Sequence, residues 1–474
     1  MVSNENKKIN NSEQEDKLDK LDKNNEKAFK DNRINKVRDD GKIKNKQEIE
    51  QRKDLNAIDK NECNDTHKQL ELSIETRTVD TNRNQKNYEN TYNKKKENDK
   101  VKKHVIPSGT LLEYRVKRLI FNLGYYPIVG IDLKTSYDET AEKITDLDVY
   151  GIYIHKDFTI KTVWADCKSG GVKIHDRLSW IKGIMGSIQI NDAILVAGGV
   201  RTSVKQYAGK FGIQILDLNV IQKLENDYGI AADDWRGSWN PDTQYRKIVE
   251  LSRLSIPTND IYKRISKFIS SDYWVMDNYS KCKKTLTALR ELASMDSIPM
   301  SIEQIKSVKW AIFELIGMFS LAALSISKDI YYFTDREKKE IIEDGLSSGD
   351  IPNKKRAELI DAAFRVAYSS LKSQIPDFQV PIKMPKISLS QPSYSNDFCD
   401  LMLRITNKPI YFFDILRFID FTLMEYDLND KNYDEEVLRK MFNNYDNVLI
   451  GTKTILHFIC HTTNIQKTLF SMLR

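Results

Sequence analysis

Apolar positions recur at helical spacing over residues 110–123, TLLEYRVKRLIFNL, where Leu112, Val116, Leu119, Ile120 and Leu123 share one stripe. Gly124 follows as a helix stop, because glycine takes the left-handed conformation at little cost. Three apolar stretches with strand character come next, YYPIVGIDL, LDVYGIYI and TIKTVWADC, and polar loops separate them into a predicted meander. Beyond Lys168 the pattern predicts a helix over about 176–190, a strand at DAILVAGG, a helix at TSVKQYAGKFG and a strand at IQILDL that ends near Leu218. The order αβββαβαβ describes an α/β sandwich with a mixed sheet, whose second half holds a parallel pair joined by a right-handed crossover.

The flanks read differently. Residues 1–104 are dominated by Asn, Lys, Asp, Glu and Gln, with few large apolar residues, and predict a disordered polar tail. From 229 to 474 helical stripes dominate, in QYRKIVELSRL, in 301–327 and in 355–371, and predict a separate all-helical region. Prolines 376, 381, 385 and 392 punctuate a connection over about 373–395 that divides it. The α/β unit is accordingly expected to span 105–228.

Composition narrows the setting. The net charge of +6, from 74 basic and 68 acidic residues, indicates a nucleic-acid partner only where it is concentrated on one surface. The five cysteines are widely spaced and form no CxxC pair, which argues against a disulfide scaffold or zinc ribbon and for a reducing cytoplasm. The polar opening MVSNENKK lacks the apolar core of a secretion signal. One stretch, residues 310–326, is apolar enough to suggest a membrane span, but it carries Glu314 and continues a polar helical lead-in, so a buried core helix is expected.

The chemistry concentrates on two strands. Thr145-Asp146-Leu147-Asp148-Val149 lies on one and Trp164-Ala165-Asp166-Cys167-Lys168 on the next. Strand side chains alternate, so Asp166 and Lys168 point to one face while Cys167 points into the core. Other carboxylate-x-Lys triplets occur, but Asp166-Cys167-Lys168 ends an apolar strand, where an acid and a lysine are expensive to bury unless paired or functional. Two carboxylates, Asp148 and Asp166, suit Mg²⁺, which Mn²⁺ can replace, and a lysine beside the metal can orient water and stabilise charge at phosphorus.

This segment, roughly 108–224, resembles the PD-(D/E)XK, or restriction-endonuclease-like, superfamily, especially its Mrr-like and Holliday-junction-resolvase-like branches. The resemblance rests on Glu113 in a helix that ends at Gly124-Tyr125, on the xDV strand Leu147-Asp148-Val149, on the (D/E)xK strand Asp166-Cys167-Lys168 and on the closing unit TSVKQYAGKFGIQILDL. The signature proline is absent, and Asp166 stands where glutamate is commoner. What the resemblance implies is an Mg²⁺-dependent DNA endonuclease of restriction or foreign-DNA defence type. Its metal would be held by Asp148, Asp166, Glu113 and the Cys167 carbonyl, with Lys168 assisting the attacking water, and Asp146 and Gln189 are accessory candidates.

Each residue also has a plainer reading. Thr110 and Glu113 have the spacing of a capping box that only closes the helix start. Asp146 could be a turn residue, and Asp148, Asp166 and Lys168 a structural ion-pair cluster in a scaffold that binds nucleic acid or assembles with other proteins. Lys173, His175 and Arg177 follow the active strand and are either phosphate contacts or a solvated loop. An RNA-directed nuclease would use the same core. The helical half would hold target recognition, a protein partner or a homodimer contact, while its clustered His457, Cys460 and His461 and its tryptophans read as ordinary packing.

Overall fold

The computed structural model describes residues 106–474 apart from 138–139, 171–172, 255–259, 295–299, 349–352, 376–377 and 380–390. The expected polar tail over 1–104 and most of the proline-punctuated connection lie outside the described residues. The first described helix, α1 (Ser108–Asn122), leads into β1 (Tyr126–Lys134), β2 (Lys143–Ile154) and β3 (Ile160–Cys167). Then come α2 (Ile174–Ile188), β4 (Asp192–Val196), α3 (Thr202–Gly209), β5 (Ile213–Leu216) and α4 (Leu218–Asp227). The five strands form one sheet in chain order, antiparallel from β1 to β3 and parallel from β3 to β5. The predicted meander and parallel half are both present, in a mixed sheet.

Alternation along the strands sorts the core. Trp164 packs with Leu178, Ile181 and Met185 of α2 on one face, whereas Ala165, Cys167 and Val149 pack with Val116, Leu119 and Ile120 of α1 on the other. Helix α1 lies close to the sheet because residue 151 is glycine: a Cβ there would sit 2.8 Å from both Ile120 Cγ2 and Val163 Cγ1. Arg118, 1% exposed, pins the end of the α/β segment. It bonds to Glu225 at 2.8 Å and to the carbonyls of Ala231, Ala232 and Asp234, and its guanidinium lies over Trp235.

The helical part begins with α5 (Pro241–Arg253), α6 (Ile261–Ser270), α7 (Asn278–Ala293) and α8 (Ile302–Ile330). Helix α8 starts at a capping box of Ser301 and Gln304 and contains the stretch apolar enough to cross a membrane. That stretch is 89% buried inside the protein, which explains its composition as the axis of a helical core. Further on, α9 (Asp335–Ser348), α10 (Asn353–Gln374), α11 (Ser395–Asn407) and α12 (Ile415–Thr422) precede a π-helical turn at Leu423–Leu428. Helices α13 (Glu435–Met441) and α14 (Tyr445–Thr463) follow.

One apolar core crosses the boundary expected near residue 228. Phe121, Tyr126, Ile152 and Phe158 of the α/β segment share it with Trp239, Phe319 and Phe421. The backbone of α8 meets β1 at Gly317, where a Cβ would lie 2.8 Å from the Tyr126 hydroxyl oxygen. Because helices cover its outer side, α1 is buried on more than its predicted stripe: Tyr114 and Lys117 are 3% and 5% exposed.

Between β1, α1 and the helices lies a largely apolar cavity of about 90 Å³ with a few polar groups in its wall, among them Lys117, Gln244, Glu314 and Asp420. Burial pushes the Glu314 carboxyl up to about 7, with Lys117 opposing and Asp420 adding to the rise. Burial also raises Asp420, against Lys117 and a hydrogen bond from Ser238. Trp310 Nε1 donates to Gln244 Oε1 at 2.6 Å, and the buried Gln244 Nε2 has no partner among the described residues.

Candidate active site

The site lies where two paired strands part. Strands β2 and β3 remain in register from Ile154↔Ile160 to Val149↔Ala165. Beyond that point β2 continues along β1, with Leu147 opposite Ile131, and β3 continues along β4, with Cys167 opposite Val196. The gap would leave the Cys167 N–H without a strand partner, and Asp148 Oδ2 accepts it at 2.7 Å. A buried backbone donor is thus satisfied by a side chain, which fixes that carboxylate beside the end of β3.

Lys168 joins the two acids. Its Nζ lies 3.1 Å from Asp148 Oδ2 and 3.1 Å from Asp166 Oδ1. Burial works against the ammonium, but Asp148 and Asp166 outweigh it and hold Lys168 above its ordinary value. Burial raises the Asp148 carboxyl, the Cys167 N–H and Lys168 oppose, and Asp166 adds to the rise. Asp166 itself is 1% exposed. Cys167, the residue between, is buried on the α1 side as the alternation predicts.

Glu113 reaches the same group from α1. Its carboxyl is pushed up to about 7, first by burial and then by Asp148, with Lys168 opposing. The capping-box reading of this residue is overturned: the helix begins at Ser108 behind Pro107, with no side-chain cap, so Thr110 already lies within the helix. Asp146 sits at the rim, 56% exposed and ion-paired with Lys143, which with Asp132 holds its carboxyl low against the effect of burial.

Other expected residues separate. Gln189 is not brought to the site: it ends α2 in a left-handed conformation, φ 54°, next to the turn where Asn191 bonds Thr162 at the opposite end of β3. Its predicted place within the helix is corrected by one turn residue, and direction explains the rest, since the start of α2, not its end, faces Asp166. Lys173 and His175 are exposed. His457 and His461 are exposed while Cys460 is buried, so this trio does not converge.

Arg177, by sequence a phosphate contact or a residue of a solvated loop, grips Asp166 instead. Its Nε donates to Asp166 Oδ2 at 2.7 Å and its Nη2 to Asp166 Oδ1 at 2.5 Å, a bidentate fork. The guanidinium also lies 3.7 Å over the ring of Trp180, which packs edge-on against Trp164. The Arg177/Trp180 spacing of three residues was the available signal, since it stacks the two side chains on one helix face.

The donor set suits a hard divalent cation: Asp148 and Asp166 are adjacent, and Glu113 is a third carboxyl whose proton is retained partly because Asp148 is near. Among the described residues no three acidic, His or Cys side chains are already gathered around one point, and Lys168 and Arg177 hold the Asp166 oxygens. The residues fit the cation in chemistry and would close on it by exchanging these contacts. Beside Lys168 a cleft of about 760 Å³ opens, with Leu111, Arg115, Gly198, Leu218 and Trp235 in its walls. Comparison of the chain with family models, with curated proteins and with solved structures returns no match.

Proposed function

We propose that this chain is a metal-dependent nuclease with a restriction-endonuclease-like core, cutting DNA endonucleolytically in a restriction or foreign-DNA defence role. The observation that carries the reading is the pair Asp148 and Asp166 bridged by Lys168 at the point where β2 and β3 part. Mg²⁺, or Mn²⁺ in its place, held by Asp148 and Asp166 with Glu113 and the Cys167 carbonyl as further oxygen donors, would neutralise charge on the phosphate. Lys168 holds and orients the attacking water and meets the charge that develops at phosphorus. The water oxygen bonds to phosphorus and gives up a proton to solvent as the P–O3′ bond breaks, leaving a 5′-phosphate and a 3′-oxygen that takes a proton from solvent. The helical region is assigned to target recognition, a protein partner or a second subunit, since one such site cuts one strand at a time.

A second reading has an observation of its own. Asp166 is held at both oxygens by basic side chains, Lys168 and Arg177, as in a structural ion cluster, which favours a nuclease-like scaffold that binds nucleic acid without cutting it. Purified wild type and Asp166→Ala incubated with plasmid, single-stranded DNA and RNA, in Mg²⁺, Mn²⁺ or chelator, separate the two. Metal-dependent cutting lost in the variant supports the nuclease and identifies DNA or RNA as its substrate. Uncut substrates, with equal metal and nucleic-acid binding by both proteins, put the scaffold in its place.

A further inference from the structure

We infer that Arg177 is a displaceable counterion: it exchanges the Asp166 carboxylate for a substrate phosphodiester, and so makes metal and nucleic acid bind cooperatively. The inference rests on the nuclease reading. Asp166 Oδ1 accepts Arg177 Nη2 at 2.5 Å and lies 3.1 Å from Lys168 Nζ in an ion pair, so two cations press on the same oxygen. Asp166 Oδ2 accepts Arg177 Nε at 2.7 Å and keeps one lone pair beside that guanidinium. A divalent cation bound by Asp166 therefore meets a positive charge in contact with its own ligand, and repulsion between them favours release of the fork.

The released guanidinium has a place to remain and a partner to find. Stacking over Trp180 at 3.7 Å holds it at the mouth of the site, and 24% of its side chain is already exposed. The planar fork that matches a carboxylate matches two phosphate oxygens equally well. The metal frees Arg177 for the phosphate, and the phosphate, by holding Arg177, frees Asp166 for the metal. Linkage makes the two effects equal in size. Arg177 is on this account a positioning residue with a direct hold on substrate rather than a member of the proton-transfer chemistry.

The test is binding, not turnover. Full-length wild type, Arg177→Gln and Arg177→Lys are titrated with Mn²⁺, and free Mn²⁺ is followed by its electron paramagnetic resonance signal, with and without a duplex carrying non-cleavable phosphorothioate linkages. Asp166→Asn serves as the control that removes the site, and far-ultraviolet circular dichroism checks the fold of each protein. Arg177→Gln is expected to bind Mn²⁺ about tenfold more tightly than wild type without DNA, and to lose the gain that DNA confers on wild type. Arg177→Lys, which keeps charge but not the fork, is expected between them and also keeps the test alive if the glutamine variant fails to fold. Equal Mn²⁺ affinity in wild type and both variants, with binding abolished in Asp166→Asn, overturns the role of Arg177 alone. Absence of Mn²⁺ binding in every protein overturns the nuclease reading and this inference together.

Discussion

Two clusters in this molecule each set a lysine between two carboxylates and treat them in opposite ways, the first also taking in Glu113 and Arg177. Around Lys168 the charges touch: its ammonium is 3.1 Å from Asp148 and from Asp166, and a third of its side chain reaches solvent. Around Lys117, which is 5% exposed, no ion pair forms within 4 Å with Glu314 or Asp420 among the described residues, and the three groups line one largely apolar cavity. The first arrangement holds charges ready for exchange with an ion or a substrate. The second lies deeper, with Lys117 and Asp420 buried and Glu314 half-buried, and Lys117 tempers both acids without touching either. Helix α1 carries a member of each, Glu113 and Lys117, one helical turn apart.

The comparison can be broken most forcefully through activity. Asp166→Ala is expected to lower metal-dependent DNA cleavage by about a thousandfold or more, the scale of losing a group that acts on the transition state. Initial rates on plasmid measure it, and an unchanged rate would remove the open cluster from the chemistry. In the deeper cluster the expected loss is in stability: Lys117→Ala should cost about 1–3 kcal/mol, because Glu314 and Asp420 lose the charge that tempers both. Urea denaturation of Lys117→Ala beside Lys168→Ala sharpens the contrast, since Lys168→Ala should cost about 1 kcal/mol or less while abolishing cleavage.

A smaller effect touches both clusters at once. Gly151→Ala inserts a methyl between Ile120 and Val163, lifting α1 from the sheet at a cost of about 1–3 kcal/mol. If α1 couples the two regions, this variant loses stability and cleavage together, whereas loss of stability alone would separate them.

The smallest expected effect is on pH dependence. Glu314 in the folded protein is pushed up to about 7 from an ordinary 4.5. A carboxyl raised in the folded state binds more protons there than in the unfolded chain, so the contribution of Glu314 to stability is greatest below about 4.5, falls as pH rises towards 7 and is level above it. Glu314→Gln should flatten that decline in a series of denaturation curves. Glu113, also pushed up to about 7, faces the open cluster, so Mn²⁺ affinity should rise with pH to about 7 and lose this limb in Glu113→Gln.

Much of the α/β segment was legible because local periodicity is strong there. The stripe through Val116, Leu119 and Ile120 and the alternation through Trp164 to Cys167 each met the partner face that their spacing required. Helix starts were less legible: a Pro at 107 let α1 begin two residues before Thr110, and the capping-box reading of Glu113 dissolved with that shift. The apolar stretch of α8 reads alike as membrane span or core helix, and only its 89% burial within the protein distinguishes them.

By itself the sequence determined which side chains share a face, since the two-residue period of a strand puts Asp166 and Lys168 together and the Cys167 thiol opposite. It also determined the order of strands and helices, because hydrophobic period is a local property of the chain. Only the tertiary structure decided that β2 and β3 part after Val149 and Ala165, that Asp148 fills the gap, and that Arg177 rather than Gln189 meets Asp166. It likewise decided that Lys117 is sealed beneath helices more than a hundred residues further along the chain. The physical reason is range: periodicity is set by neighbours along the backbone, whereas pairing of charges and removal of water depend on surfaces that meet only when distant segments pack.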